Sequence, residues 1–449
     1  MKRNLQIPFV FLRFALGVHL LNFLNMNSRR NFIKQSATAL LGTAAISSLP
    51  IQSFASQVKI LSLQPDDEEY WKLLRTQFPL THERVYFNNG TMGPSPYPVI
   101  DMLRKTILDV DTGGEYGGWD SSRAKLAKFV NVREDEISLT HNVTDGINVV
   151  CWGLPLKKGD EVIVSDHEHV GNALPWLNRQ RVHGIKVKYC KLGTTADETL
   201  NNLKQSITKK TRVIAIPHIV CTIGQIQPIK EMVQLGKERG IFVFVDGAHG
   251  PGMLDLDLKD LACDFYATCC HKWMLGPKGT GFLYVRKEMQ DILQPYFVGG
   301  GSDSGWNILG DKTEMKGYAN SAHRYDGGTQ STALYAGVNA AIDFIEQIGK
   351  RTIETRVLKL GKYFQQSLLD LKSPNLEILT STEDRSRGGV NAFRLKNMDY
   401  QKFGEFASKK NFRIRLVPEN GVNCARVSTH IYNNFEEIDR FVQMMKEVV

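Results

Sequence analysis

The chain has 449 residues, 42% hydrophobic and 23% charged, which excludes a disordered polymer and leaves room for two domains with a large core. Its formal charge of +9 is concentrated at the amino terminus, where residues 1–55 hold Lys2, Arg3, Arg13, Arg29, Arg30 and Lys34 and no acid. The remainder carries 50 basic against 47 acidic residues, so nucleic acid is excluded as a partner.

Residues 1–55 read as a leader. Ser28-Arg29-Arg30-Asn31-Phe32-Ile33-Lys34 is a twin-arginine pattern, an apolar run follows from Ser36 to Ile51, and Ser53-Phe54-Ala55 offers a small-residue cleavage site. The expectation is periplasmic export by the twin-arginine machinery. Met26 stands just ahead of the pattern, which makes residues 1–25 an upstream extension or extra leader. Arg13 and His19 interrupt the apolar run Ile7–Leu24 and argue against a membrane span there. The cysteines (Cys151, Cys190, Cys221, Cys263, Cys269, Cys270 and Cys424) are odd in number and several lie in strand-like runs, which predicts buried thiols and no disulfide framework.

After an arm over residues 56–100, β-branched runs alternate with helix-period stretches. Strands are predicted at Ile137–Thr140, Glu161–Ser165, Lys186–Cys190, Val213–Pro217, Ile241–Asp246, Asp264–Thr268 and Gly281–Val285. Helical segments such as Pro228–Arg239, with Met232 and Leu235 on one face, lie between them. That alternation predicts an α/β large domain over 101–335, its sheet mainly parallel and covered on both sides, with ligands beyond the strands' carboxyl ends. Gly299–Gly301 and Ser302-Asp303-Ser304-Gly305 open a long irregular segment to Thr329. One long helical stretch is predicted from Ser331 to Leu371. Strands near Leu376–Thr380, Val390–Leu395 and Arg413–Val417 and a helix from Phe435 then form a smaller α+β domain over 336–449.

Asp246 closes the strand Ile241–Asp246, and Lys272 follows 26 residues later within Cys269-Cys270-His271-Lys272-Trp273. Pyridoxal phosphate needs this pair: an amine to hold its aldehyde as a Schiff base, and a carboxylate to keep its ring nitrogen protonated. Gly276-Pro277-Lys278-Gly279-Thr280-Gly281 after the lysine allows close backbone approach. The alternative for Asp246 is a plain helix cap. Asn142-Val143-Thr144-Asp145-Gly146 leaves a strand and opens a helix, where amides favour an anion such as phosphate. Its alternative is a turn capped by Thr144. Gly327-Gly328-Thr329 is a second phosphate candidate. Asp166-His167-Glu168-His169 and Cys269-Cys270-His271 lack a second pair at zinc spacing, so no metal is expected. His169 reads instead as a flat ring over a flat cofactor, and His271 as a phosphate or ring neighbour. Arg426 is a bidentate clamp for a carboxylate, or a salt-bridged arginine. No Gly-x-Gly-x-x-Gly turn follows the first strand, which counts against a nicotinamide enzyme.

Taken in order, Val85-Tyr86-Phe87-Asn88-Asn89-Gly90, Thr140–Asn148, Glu168-His169 with Asn172 and Pro175-Trp176, Val245–His249, His271-Lys272, Gly328-Thr329 and Arg426–Asn433 carry a family resemblance. From about Tyr86 to Phe441 the chain resembles the class V aminotransferases, fold-type I pyridoxal-phosphate enzymes. Asp166-His167-Glu168, Asp246-Gly247-Ala248-His249 and His271-Lys272-Trp273 are most similar to isopenicillin N epimerase-like members. The resemblance implies a mostly parallel seven-stranded sheet in the large domain, plus the smaller C-terminal domain. It implies that Lys272 carries the cofactor and moves the α-proton, with Asp246 at the ring nitrogen, His249 at the ring hydroxyl and His169 stacked on the ring. Val143, Thr144 and His271 would hold the phosphate, and Cys269 stands near it where relatives place serine or asparagine. Gly328 and Thr329 would reach the phosphate of a neighbouring subunit, in a homodimer with shared active sites. Arg426 would take the substrate carboxylate, with Asn89 and Gly90 lining the entrance.

Two departures matter. Cys221 stands where desulfurase relatives carry asparagine, and Arg415–Ala425 lacks the extended loop whose cysteine attacks the substrate sulfur. Cysteine desulfuration is therefore disfavoured. The expected activity is transamination or epimerisation at the amine-bearing carbon of an amino acid or peptide-bound unit. The alternatives are a C–S or β-elimination lyase and a non-catalytic exported binding protein, the latter opposed by Lys272, Asp246 and Arg426 together.

Overall fold

The computed structural model describes residues 63–309 and 311–449, and the expected leader lies outside them. A short strand β1 (Val85–Tyr86) precedes the seven strands of a central sheet. These are β2 (Ile137–Thr140), β3 (Glu161–Ser165), β4 (Lys186–Cys190), β5 (Thr211–Pro217), β6 (Phe242–Asp246), β7 (Phe265–Cys269) and β8 (Gly281–Val285). Their spatial order is β2-β8-β7-β6-β5-β3-β4, and only β8 runs against its neighbours.

Side chains alternate between the two faces of each strand, and here both faces are apolar. Val162, Val213, Phe244 and Phe265 enter one core layer, whereas Ile163, Ile214, Val243 and Tyr266 enter the other. At the sheet edge β4 exposes Lys186 and Tyr189, and an edge lysine discourages pairing with another chain. The helix Ile229–Arg239 begins after Pro228 and stops at Gly240, whose φ of +64° suits glycine. It buries Met232 and Leu235, as their spacing predicts.

The predicted helical stretch from Ser331 to Leu371 is two helices, Thr332–Ile348 and Lys350–Leu369. Gly349 breaks it at φ +99°, a backbone angle that costs other residues dearly. Thr332–Ile348 spans the expected boundary between residues 335 and 336 and packs on the helices Tyr97–Gly113 and Trp119–Phe129.

The irregular segment before it contains a hairpin of β9 (Trp306–Asn307) and β10 (Glu314–Met315). The carboxyl-terminal part holds β11 (Leu376–Ile378), β12 (Val390–Leu395), β13 (Phe412–Arg413), β14 (Arg415–Val417) and β15 (Cys424–Ser428). The predicted strand Arg413–Val417 is thus divided. β13 pairs with β1, while β14 joins the four-stranded antiparallel sheet β11-β12-β15-β14. Through β1 and the Asn88–Ser428 bridge, the segment before the large sheet is tied to this small sheet.

Asp326 cross-links three parts of the large domain. It receives Arg123 Nη2 at 2.9 Å, Ser138 Oγ at 2.8 Å and the Leu139 amide at 2.9 Å, all buried. Removing one partner of a buried ion pair strands the other charge, a loss of about 3–5 kcal/mol. Asp326→Ala is therefore expected to lower unfolding stability by that amount, read as a drop in the urea midpoint at unchanged slope.

Candidate active site

The parallel strands deliver their carboxyl ends to one rim of the sheet, and the predicted residues collect there. β2 runs into Asn142, whose side chain accepts from the Asp145 amide and caps the helix Val143–Gly153. Asn142 is thus the cap, not Thr144, and the Val143 and Thr144 amides head the helix with no partner inside it. β3 runs into Glu168 and His169. His169 caps the helix Val170–His183, its Nδ1 accepting from the Gly171 amide at 3.0 Å. A Cβ at Gly171 would lie 2.9 Å from Thr144 Oγ1 and 3.0 Å from His169 Nδ1, so the phosphate candidate and the stacking candidate meet across this glycine.

β6 ends at buried Asp246, whose Oδ1 accepts the Ala248 amide at 2.9 Å. Burial pushes its carboxyl above the ordinary range, while that amide and the Lys272 charge pull it back. β7 leads through buried Cys269 to His271 and Lys272. Lys272 Nζ lies 3.3 Å from His249 Nε2. The indole N–H of Trp273 can only donate, and it does so to His249 Nδ1 at 3.0 Å. Burial holds His249 far below its ordinary proton affinity, so the ring is neutral and its one proton sits on Nε2. It therefore presents an N–H toward Lys272. Trp273 in turn stacks on His430, with centroids 5.3 Å apart.

Behind His169, Glu168 accepts from the Ser165 amide and hydroxyl and from Asn172, and Asn172 also receives Trp176 Nε1. Burial raises the Glu168 carboxyl to about 8, against these hydrogen bonds. Burial holds the His169 and His271 rings at about 4, with the Lys272 charge acting in the same direction.

The small sheet supplies Arg426, which is fully buried. Its Nη1 donates to the Cys221 carbonyl at 2.6 Å and its Nη2 to Thr91 Oγ1 at 2.9 Å, and no carboxylate among the described residues pairs with it. Burial lowers it to about 9. Arg426 is thus neither a surface arginine nor, among the described residues, a salt-bridged one. Gly90 lies beside it: a Cβ there would sit 3.2 Å from both Arg426 Nη2 and His249 Cε1. Gly93 approaches Lys272 even more closely. Its amide donates to the His271 carbonyl at 2.8 Å, and a Cβ would fall 2.0 Å from the Lys272 carbonyl oxygen. Asn89 is buried and receives Tyr432 OH at 3.1 Å.

Three buried polar atoms here, Asn89 Nδ2, His271 Nδ1 and Arg426 Nε, lack a hydrogen-bond partner. The open helix head with His271, the His249 N–H and the buried Asp246 carboxylate fit the phosphate, ring oxygen and ring nitrogen of pyridoxal phosphate, and Asn89 Nδ2 and Arg426 Nε remain free for a substrate. Gly328 and Thr329 do not join this constellation; Thr329 is exposed and Gly328 half-buried. Sequence reasoning missed Trp273 as a hydrogen-bond donor, Tyr432 as the partner of Asn89, and Gly93. Only the aromatic directly after Lys272 carried a signal.

The chain matches the model of the family "Aminotransferase class-V" over residues 116–441. It is 28% identical over 407 residues to a probable cysteine desulfurase of Pyrococcus abyssi, covering 84% of this chain and 97% of the relative. It is also 28% identical over 396 residues to the isopenicillin N epimerase of Amycolatopsis lactamdurans, covering 84% and 98%. Among solved structures, the cystine C–S lyase in complex with its product cysteine persulfide superposes with a TM-score of 0.75 at 25% identity, covering 82% of this chain and 98% of that one. Probable cysteine desulfurases of several other organisms are similarly related, so the comparisons favour the desulfurase and C–S lyase relatives over the epimerase likeness that was expected.

Nitrogen-15 NMR of histidine-labelled protein is expected to show His249 as the neutral Nε2–H tautomer, still uncharged when the pH falls to the ordinary 6.5. Its proton affinity is depressed, so protonation comes only below that value. Trp273→Phe removes the donor to Nδ1 and is expected to yield a mixture of tautomers. A single unchanged tautomer in that variant contradicts the assignment.

Proposed function

Because the chain belongs to the class V aminotransferase family of pyridoxal-phosphate enzymes, we propose that it cleaves the C–S bond of a sulfur-containing amino acid by β-elimination. The observation that carries this reading is the burial of every cysteine beside a complete amino-acid site. A desulfurase that attacks the substrate with its own thiolate needs an accessible, easily ionised cysteine. Here burial pushes the Cys221 thiol to about 11 and the Cys424 thiol to about 12. Elimination needs no protein thiol, and similarity to the cystine C–S lyase supports it.

Lys272 would hold the cofactor until the substrate's amine takes its place on the aldehyde, which frees Nζ, and the group would then supply an electron sink for the α-carbon. The Val143 and Thr144 amides, Thr144 Oγ1 and His271 would hold its phosphate, and Asp246 its ring nitrogen. His249 would donate Nε2–H to the ring oxygen, and His169 would cover the ring face. Arg426 orients the substrate by its carboxylate, the buried guanidinium gaining the counter-ion it lacks. Lys272 Nζ takes the α-proton, the C–S bonding pair leaves with sulfur, and the sulfur fragment gains a proton. The remaining fragment hydrolyses to pyruvate and ammonia. Transamination or epimerisation, the activity expected from the sequence, uses the same groups and differs only in where the proton returns. The isopenicillin N epimerase relative keeps that as the second reading.

We also propose a homodimer in which exposed Thr329 reaches toward the neighbouring subunit's phosphate, and export by the twin-arginine route on the strength of Ser28–Lys34.

Purified protein given S-substituted cysteines is expected to release pyruvate and the sulfur fragment in equal amounts. Lys272→Ala is expected to abolish both this release and the borohydride-trapped adduct. Arg426→Ala is expected to raise KM by about 10- to 100-fold, the worth of a charge-assisted pair. A keto acid that keeps its sulfur, or deuterium at an inverted α-carbon, would refute elimination.

A further inference from the structure

His430 stands two residues past the end of β15, the strand that carries Arg426. Its ring is fully buried and touches Trp273, the residue after Lys272, in two ways. The two rings stack with centroids 5.3 Å apart and planes at 26°, and His430 Nε2 lies 3.0 Å from the Trp273 carbonyl oxygen. The other nitrogen, Nδ1, faces the Ile431 amide at 2.7 Å. An amide donates and a carbonyl accepts, so the proton sits on Nε2 and points at Trp273. Burial holds this ring at about 4, which leaves it neutral with that one N–H.

On its far side His430 stacks on Tyr432, with centroids 5.7 Å apart and planes at 21°. Trp273, His430 and Tyr432 thus form one buried column. Each end donates to a group of the site: Trp273 Nε1 to His249 Nδ1 at 3.0 Å, and Tyr432 OH to Asn89 Oδ1 at 3.1 Å. Trp273 is also closely walled. A Cβ at Gly389 would sit 3.0 Å from its Cη2, and one at Gly252 would sit 2.2 Å from its carbonyl oxygen. A phenyl ring would fill the middle of the column as well as an imidazole does. What the imidazole adds is a hydrogen bond from the segment after β15 to the lysine loop. A buried histidine costs more than an apolar ring unless its nitrogens are used.

We infer that His430 is a positioning residue: it fixes the Trp273 peptide from the segment bearing Arg426, and so sets the Lys272 amine against the Arg426 guanidinium. This rests on Lys272 holding the cofactor and Arg426 the substrate carboxylate, which both readings of the activity share. The two groups belong to different sheets, and an amino acid must reach both with an amine and a carboxylate on one carbon. When their separation is fixed in advance, the second contact costs little further freedom, and affinity rises without any new group. The same hold keeps the indole N–H on His249.

The test compares two ligands of the holoenzyme, 2-aminoisobutyrate and tert-butylamine, by calorimetry and by the change in cofactor absorption. They share one carbon skeleton, and the second has a methyl where the first has its carboxylate. Neither carries an α-proton or sulfur, so the outcome does not depend on which reaction follows. The wild type is expected to prefer 2-aminoisobutyrate by at least about tenfold, the lower bound for a charge-assisted pair. His430→Phe keeps the stack and loses both hydrogen bonds, whereas His430→Asn is too short to reach the Trp273 carbonyl. Both are expected to lose most of that preference and to show His249 as a mixture of tautomers by nitrogen-15 NMR. His430→Gln, whose amide N–H stands where Nε2 does, is expected to restore both. A fold weakened overall lowers the two affinities alike and cancels in their ratio. A preference or a tautomer that His430→Phe and His430→Asn leave at the wild-type value overturns the assignment. A wild-type ratio near one refutes the Arg426 clamp itself and takes the assignment with it.

Discussion

Two buried charges of opposite sign, the Asp246 carboxylate and the Arg426 guanidinium, lack an ion-pair partner among the described residues, and the rest of the site is arranged around that deficit. An isolated charge inside a protein loses several kcal/mol of hydration. Burial accordingly drives each toward its neutral form, raising the Asp246 carboxyl and lowering Arg426. A fold keeps such groups when a ligand brings the missing counter-charge. Asp246 calls for a cationic ring, and Arg426 for an anionic head.

The sheet makes the arrangement possible. Parallel strands end on one rim, so β2, β3, β6 and β7 bring a helix head, a histidine, a carboxylate and an amine to one place without any long excursion of the chain. Arg426 comes from a different sheet, and the segment through β1 and Gly93 joins that sheet to the lysine loop. Asn89, Gly90 and Gly93 therefore hold the two halves of the site in register. Trp273 extends the same logic outward: one indole N–H decides which nitrogen of His249 carries a proton.

Much of this was legible because the chemistry sits where patterns end. Asp246 closes an apolar strand, Asn142–Thr144 stands between a strand and a helix, and Lys272 lies just past a strand, so the local pattern made them candidates and the family resemblance supplied their roles. Other features depend on relations between distant segments. The break at Gly349 interrupts a continuous helical pattern, because glycine is tolerated within such patterns and only the backbone angle shows the turn. β14 and β13 look like one strand until each finds a different partner. The contact of His430 with Trp273 joins residues 157 apart in the chain, and no local spacing encodes it. Thr329 was read through resemblance alone, and a single chain leaves it on the surface.

The interior placement of all seven thiols has a consequence for the life of the chain. While folded, it offers no thiol for cross-linking to neighbours or for capping by small oxidants, whatever the redox poise around it. Alkylating reagents then count molecules that have opened, which makes thiol labelling an internal clock for unfolding.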